Sequence, residues 1–163
     1  MRRLTVLELD ACVRAIERRE NRIYEWNFCR NLQSRMRRKA KAFPGVFDLE
    51  GLWRVWSIRD FDERYTAPHH GFDGASDYYH RASAMRIIER VARPALILSA
   101  ADDPFVPPTI FDADALRANP HVSVAVTPHG GHCAFVEAAN GYDGYFAERT
   151  VVEFLARHLP AAG

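Results

Sequence analysis

The sequence predicts an α/β fold in which the C-terminal half alternates short apolar runs with amphipathic segments. The apolar runs at 95–99 and 122–126 have the length and the bounding turn residues of buried strands. The segments 111–117 and 150–158 carry apolar residues at helical spacing. Because strand, loop, helix, strand, loop, helix is the order of a parallel sheet with crossover helices, we expect two parallel strands and flanking helices.

The N-terminal half is predicted to be helical. One or two helices are expected over 10–43, with Asp10 as N-cap and a proline and a glycine at the end. Another helix is expected after Asp48, and Ser83 is expected to cap a shorter one over 84–90. The apolar positions behind the first two helices are Tyr24, Phe28, Leu32 and Met36, and then Leu49, Leu52, Trp53 and Trp56.

Length and composition are those of one globular domain. The chain has 163 residues, of which 48% are hydrophobic and 26% charged. No apolar run approaches the roughly 18 residues of a membrane span, and the first residues lack the pattern of a secretory signal. Three cysteines without a C-x-x-C spacing argue against a disulfide framework and a zinc site, so the sequence predicts a cytoplasmic protein.

Charge is distributed unevenly along the chain. Residues 1–44 contain 12 Lys and Arg against 5 Asp and Glu, a net charge of +7, whereas the remainder has 10 against 16, a net charge of −6. The densest run, 35–41, has five basic residues in seven and is interpreted as a solvated helix face. A nucleic-acid contact, which would show a steep salt dependence, is the lesser alternative, and we predict no nucleic-acid partner.

An acid and a histidine follow the two predicted strands. Asp103 comes after the first strand, and His132 comes after the second strand, 29 residues later. In open α/β sheets, functional groups lie in loops beyond the carboxyl ends of the strands. An aspartate that holds one imidazole nitrogen, while the other nitrogen takes a proton from a nucleophile, is part of a Ser-His-Asp system. The pattern therefore predicts an acid and a base for nucleophilic catalysis.

Two loop motifs resemble the C-terminal part of an α/β hydrolase. They are "LILSAADDPFVPP" at 96–108 and "HGGHCAFVE" at 129–137. The linker "FDERYTAPHHGFDGASDYYHRASA", with its HGF and DYY elements, and the helix end "RKAKAFPG" narrow the resemblance to the YheT-like hydrolases and esterases. The similarity covers roughly residues 10–158. It implies a single partial hydrolase domain, with a mainly helical connecting or cap region over 1–92 and a core over 93–163.

The resemblance assigns roles residue by residue. Asp103, three residues before the Val-Pro of its turn, matches the family's acid, and His132 after the Gly-Gly pair matches the family's histidine. Asp102 is expected to have a structural or solvent-facing role, and Phe135 is expected to pack behind the histidine loop. The family implies a small-molecule or lipid ester as substrate of the complete enzyme and no metal or organic cofactor.

The serine nucleophile of such a hydrolase is missing from the sequence. None of the six serines lies in the G-x-S-x-G turn that presents it, and no cysteine has a comparable context. The expected function is therefore that of a hydrolase fragment, truncated or split, with an incomplete triad and no activity by itself. Whether the chain acts as an enzyme is left open, and a partner chain that supplies the N-terminal half is an expectation.

A second function remains as an alternative, a non-catalytic binding or regulatory module that pairs with another protein. Retention of both the acid and the histidine favours the hydrolase. Five aromatic residues are candidates for a substrate pocket, although core packing is the preferred interpretation for each: Trp53, Trp56, Phe72, Tyr78 and Tyr79. Two strands alone leave open sheet edges, so we also expect a marginally stable or associating chain.

Overall fold

The computed structural model describes residues 8–139 and 141–158. The described residues fall into two compact units, Glu8–Ser83 and the residues from Ala84 onward. The predicted division into a connecting region and a core after residue 92 stays a prediction. Among the described helices, none combines the length and the apolar character that are needed to cross a bilayer.

The first unit begins with two helices. Helix α1 is Leu9–Ile16 and helix α2 is Arg22–Ala42, with a 3-10 turn, Arg19–Asn21, between them. The prediction that Asp10 caps a helix is wrong, since Glu8 occupies the N-cap and Asp10 lies in the first turn. The Asp10 carboxylate is engaged elsewhere, because its Oδ1 accepts a hydrogen bond from the Arg59 guanidinium at 3.0 Å.

Helix α2 buries one face and exposes the other. Cys29 and Met36 are buried, and Leu32 is half-buried against the cluster that contains Met36. Tyr24, which shares their predicted row, is exposed. A row of every fourth residue drifts by about 40° per step around a helix of 3.6 residues per turn, so its members cannot all face the core.

The helix that the sequence predicts after Asp48 does not form. Only a 3-10 turn, Leu52–Arg54, is present, and it follows Gly51 in the left-handed region at φ +67°. The residues buried from this stretch are Leu52 and Val55, whereas both tryptophans point to solvent. The two buried residues are three apart, which is the spacing that one 3-10 turn places on the same side.

The rest of this unit is a chain of short helices. Helix α3, Ile58–Phe61, is followed by a π-helical turn, Asp62–Thr66, and by helix α4, Ala67–His69; helix α5 is Ala75–Ala82. Tyr79 of α5 is fully buried, and its hydroxyl donates to Asp62 Oδ2 at 2.8 Å. Burial raises the pKa of both the Asp62 carboxyl and the Tyr79 phenol. Tyr79 is thus a core residue, which agrees with the preference for core packing over a substrate-pocket role.

The second unit contains the parallel strands. Its elements are a 3-10 helix, Ala84–Arg90; strand β1, Ala95–Ala100; a 3-10 helix, Pro108–Asp112; helix α6, Asp114–Ala118; strand β2, Val122–Thr127; and helix α7, Phe146–His158. β1 and β2 pair in parallel register from Ala95 opposite Val122 to Ala100 opposite Thr127. The predicted fold class, a C-terminal portion of an α/β fold with two parallel strands, is confirmed. Ser83 directly precedes the 3-10 helix Ala84–Arg90, and its hydroxyl donates to the Tyr79 carbonyl at 2.6 Å. Its role as the cap of that helix stays a prediction.

Asn119 fixes the start of the second strand. It is buried, and its Nδ2 donates to the carbonyls of Ile88 at 2.7 Å and Val91 at 2.9 Å. Its Oδ1 accepts from the His121 amide at 2.9 Å, and the His121 carbonyl in turn accepts from Ala95 N at 2.8 Å. Because the strands start in register, they also end together, and the loops after Ala100 and Thr127 leave the sheet at the same edge.

Candidate active site

Asp103 is held by the turn that follows β1. The ladder continues one residue past the strands through Ala101 N and Thr127 O at 2.8 Å, and the chain then turns. Asp103 Oδ1 accepts hydrogen bonds from the amides of Phe105 at 2.8 Å and Val106 at 3.1 Å. Its side chain is only 4% exposed. The turn therefore fixes one carboxylate oxygen and leaves Oδ2 for a partner outside the turn.

That partner is His132, which lies on the loop after β2. His132 Nδ1 is 3.0 Å from Asp103 Oδ2, and the edge of its ring packs on Phe105 with ring centroids 5.3 Å apart. A carboxylate can only accept, so Nδ1 is the donor, and in the neutral imidazole the lone pair then lies on Nε2. Nε2 has no partner among the described residues, and the side chain is 55% exposed. The pair is thus arranged to take a proton from an incoming group at Nε2.

Asp102 holds the same loop one residue earlier. Its Oδ1 accepts from the Gly131 amide at 2.8 Å, and its Oδ2 lies 3.4 Å from His129 Nδ1. The Gly131 hydrogen bond is the main reason that the pKa of the Asp102 carboxyl is lowered. Two consecutive aspartates therefore bind two consecutive loop residues. Asp102 binds the backbone amide of Gly131, and Asp103 binds the imidazole of His132.

The two glycines allow the loop to run close to the sheet. Gly131 adopts the left-handed conformation at φ +54°. A Cβ on Gly130 would lie 2.7 Å from Phe135 Cδ1 and 3.2 Å from the Cβ of Ala100, which is too close for either contact to stay in place. Phe135 lies behind the loop, as expected. A side chain at Gly130 would displace Phe135 or the loop, whereas a side chain at Gly131 meets open space and would only strain the left-handed backbone.

Asp102→Ala is expected to loosen His132 without altering Asp103. The variant removes the acceptor for the Gly131 amide, so the Nδ1 proton of His132 should lose its protected downfield NMR signal, and any His132-dependent kcat should fall roughly tenfold. Asp102→Asn keeps an acceptor oxygen and should preserve the signal. Because the pKa of the Asp102 carboxyl is lowered, the stabilisation that Asp102 gives to the histidine loop is complete at neutral pH. This stabilisation is lost as the pH falls through the pKa of Asp102 in the folded protein.

Equal Nδ1 signals in the alanine and asparagine variants would contradict this positioning by Asp102. Sequence reasoning gave Asp102 only a structural or solvent-facing role. The adjacency of two acids was the available signal, but it does not reveal which backbone amide the first one binds. Thr127 was also missed, and its hydroxyl donates to the His129 carbonyl at 2.8 Å at the start of the loop.

The aromatic residues named as pocket candidates all belong to the first unit. Trp53 and Trp56 are exposed, so the preferred interpretation of core packing is wrong for both. Phe72 and Tyr78 lie against each other with ring centroids 5.3 Å apart. In the part of the chain that the structure describes, no group of three histidine, cysteine or acidic side chains is placed to hold a metal ion.

Comparison with known proteins finds hydrolases. The chain is 34% identical over 155 residues to a protein of Escherichia coli that carries the name of an esterase, YheT, covering 94% of this chain and 45% of that protein. It is 31% identical over 146 residues to mouse phospholipase ABHD3, covering 89% of this chain and 36% of the relative. It is 34% identical over 101 residues to the Saccharomyces cerevisiae medium-chain fatty acid ethyl ester synthase/esterase 2, covering 62% and 22%.

The chain spans less than half the length of each of these relatives. No protein-family model matches the chain, and no solved structure matches it.

Proposed function

Because the chain belongs to the α/β hydrolases, as the C-terminal part of a YheT-like fold, we propose that it supplies the base and the orienting acid of a serine-dependent carboxylic-ester hydrolase. The observation that carries the proposal is the hydrogen bond of 3.0 Å between His132 Nδ1 and Asp103 Oδ2, with Nε2 turned away from any described partner. The acid is nearly buried and the imidazole is half-exposed, which suits a base that must reach substrate.

In the proposed reaction, His132 Nε2 takes the proton of a serine hydroxyl while the serine oxygen attacks the ester carbonyl carbon. Asp103 stabilises the imidazolium that forms and keeps the ring oriented. The bond to the alcohol oxygen then breaks, and Nε2 gives its proton to that alcohol. Water, deprotonated by the same nitrogen, attacks the acyl-serine, and the carboxylic acid leaves with the serine restored.

The proposed nucleophile lies outside this sequence. None of the six serines is in G-x-S-x-G, and the YheT protein of Escherichia coli is more than twice as long as the matched part. Without the serine and the oxyanion donors, the largest rate contributions are missing. We therefore expect the incomplete triad of this chain to be inactive by itself.

The proposed partner supplies further strands and the nucleophile. β1 and β2 form a two-stranded sheet, so each strand keeps one edge without a strand partner in the described chain. Val124 and Val126 are exposed on one face of β2, and helix α7 has no buried residue, with Val152 exposed. Parallel sheets are normally covered on both faces, so this apolar surface suits pairing with the remainder of a hydrolase.

A lipid ester is the proposed substrate class. Two of the relatives carry names that refer to lipid esters, a phospholipase and a medium-chain fatty acid ethyl ester esterase. The proposed setting is the cytoplasm, a reducing compartment that suits cysteines which form no disulfide within the described residues.

The test joins this chain to the N-terminal segment of a YheT-like esterase that carries G-x-S-x-G. We expect the fusion to hydrolyse a short-chain p-nitrophenyl ester, and we expect the chain alone to hydrolyse none. His132→Gln should abolish hydrolysis by the fusion. His80→Gln replaces an exposed histidine of the first unit and serves as the matched control, which should keep full activity.

Two results would reject the proposal. One is a folded fusion that binds ester analogues without cleaving the ester. The other is cleavage that survives His132→Gln. Tight pairing of this chain with the N-terminal segment, with no hydrolysis under any condition, would favour the alternative function of a non-catalytic regulatory module.

A further inference from the structure

All three tryptophans of the chain are exposed. Trp26 is 50% exposed, Trp53 is 62% exposed and Trp56 is 65% exposed. Tryptophan is highly buried on average in soluble proteins, and it is enriched where one end of a side chain meets an apolar phase and the other meets water. All three lie in the unit formed by Glu8–Ser83. Their exposure therefore marks one unit as a candidate binding surface.

Two of the tryptophans carry a cation on the ring. The guanidinium of Arg30 lies 4.7 Å from the ring centroid of Trp26, and the guanidinium of Arg54 lies 4.7 Å from that of Trp53. Such a pair keeps the indole ordered while it is exposed, and it places a positive charge at the level of the ring.

The exposed face of α2 continues this pattern. Ile23, Trp26, Arg30, Arg37 and Lys41 are spaced by three, four, seven and four residues, which puts them on one stripe of the helix. Ile23 is 78% exposed at the start of the stripe, so an apolar end precedes a cationic end. We call these five residues the α2 stripe.

Within 8–139 and 141–158, the stripe forms no ion pair with an acidic side chain. Helix α2 contains seven basic residues and one acidic residue, Glu25, which is not on the exposed face. Among the ion pairs formed by the described residues, none involves a cation of α2. The charge of the stripe is therefore available to an anionic partner.

We propose that the α2 stripe, together with Trp53 and Trp56, binds the interface of an anionic phospholipid bilayer. Cations attract the anionic headgroups, and exposed tryptophans and Ile23 enter the boundary between headgroups and acyl chains. The phosphates of a nucleic acid would pair with the cations and its bases would stack on the indoles, but a nucleic acid has no apolar phase in which Ile23 could be buried. The proposal goes beyond ester hydrolysis and holds whether or not His132 is catalytic.

The experiment mixes the full chain with vesicles of phosphatidylcholine, with and without about 30 mol% phosphatidylglycerol. We expect cosedimentation with the anionic vesicles only, and a shift of tryptophan emission to shorter wavelength. Both should weaken as salt is raised, because the attraction is screened. The emission reports on the unit that carries the stripe, since all three tryptophans of the chain lie in Glu8–Ser83.

Matched variants separate the stripe from net charge. The double variant Arg37→Gln, Lys41→Gln should weaken binding to anionic vesicles about thirtyfold, from the contribution of two cations near a charged surface. The double variant Arg90→Gln, Arg93→Gln removes the same charge from exposed positions of the other unit and should bind like the parent. Trp56→Ser should weaken binding and leave its salt dependence unchanged.

Several results would overturn the proposal. Equal binding to neutral and anionic vesicles would show that the stripe does not recognise anionic headgroups. Equal losses of binding in the two double variants would show that binding depends on the net charge of the chain and not on the α2 stripe. Binding of duplex or single-stranded oligonucleotides, with no vesicle binding, would assign the surface to nucleic acid. An emission shift on dimerisation without vesicles would assign it to a second copy of the chain.

Discussion

Replacing Asp103 by asparagine is expected to lower the kcat of ester hydrolysis by about 10⁴-fold in the enzyme completed with a nucleophile-bearing segment. The reason lies in the two backbone amides of Phe105 and Val106, which both donate to Asp103 Oδ1. An asparagine must keep its oxygen there and turn its NH₂ group toward His132. That group donates to Nδ1, so the imidazole proton moves to Nε2, which can then no longer accept the serine proton.

The measurement is kcat and KM at neutral pH for the parent fusion and the variant. We expect kcat to fall with little change in KM, because the acid acts on the reaction step and not on substrate binding. Asp114→Asn is the control, since that carboxylate is fully exposed on α6. A loss below tenfold in Asp103→Asn, in a fusion that depends on His132, would show that Asp103 does not orient the base.

Replacing Asn119 by alanine is expected to destabilise the second unit by about 3 kcal/mol. The side chain makes three hydrogen bonds, two to the carbonyls of Ile88 and Val91 and one from the His121 amide. Ile88 is fully buried, so its carbonyl has no access to water as a substitute partner. The loss therefore combines three hydrogen bonds with the cost of leaving buried polar groups unsatisfied.

Native-state hydrogen exchange at the amides of Ala95 and Ala101, which donate to the carbonyls of His121 and Thr127 across the two strands, measures this effect. Tryptophan fluorescence is uninformative here, because the second unit contains no tryptophan. Asn31→Ala on the exposed side of α2 is the control, for which we expect a change within about 0.5 kcal/mol. Unchanged exchange in Asn119→Ala would mean that other contacts align the two strands.

The alternation in the C-terminal half sufficed to predict β1 and β2, their parallel pairing and the α/β class. Short apolar runs bounded by turn residues specify buried strands locally, and the crossover between them enforces the parallel direction. The positions of Asp103 and His132 followed from the same rule, since parallel strands deliver their loops to one edge. The shared edge and the loop that contains Gly130 and Gly131 bring the two side chains within hydrogen-bonding distance of each other. Their catalytic role stays a prediction.

The sequence by itself determined the class of the fold, the order of its strands and the acid and histidine at their ends, because those features depend on local patterns. Only the tertiary structure decided which side chains are covered, because burial depends on what packs against a residue and not on its spacing. It placed Trp53 and Trp56 in solvent, and it replaced the expected helix after Asp48 with a turn. It also gave Asp102 the Gly131 amide, a contact 29 residues away in sequence that no local pattern encodes.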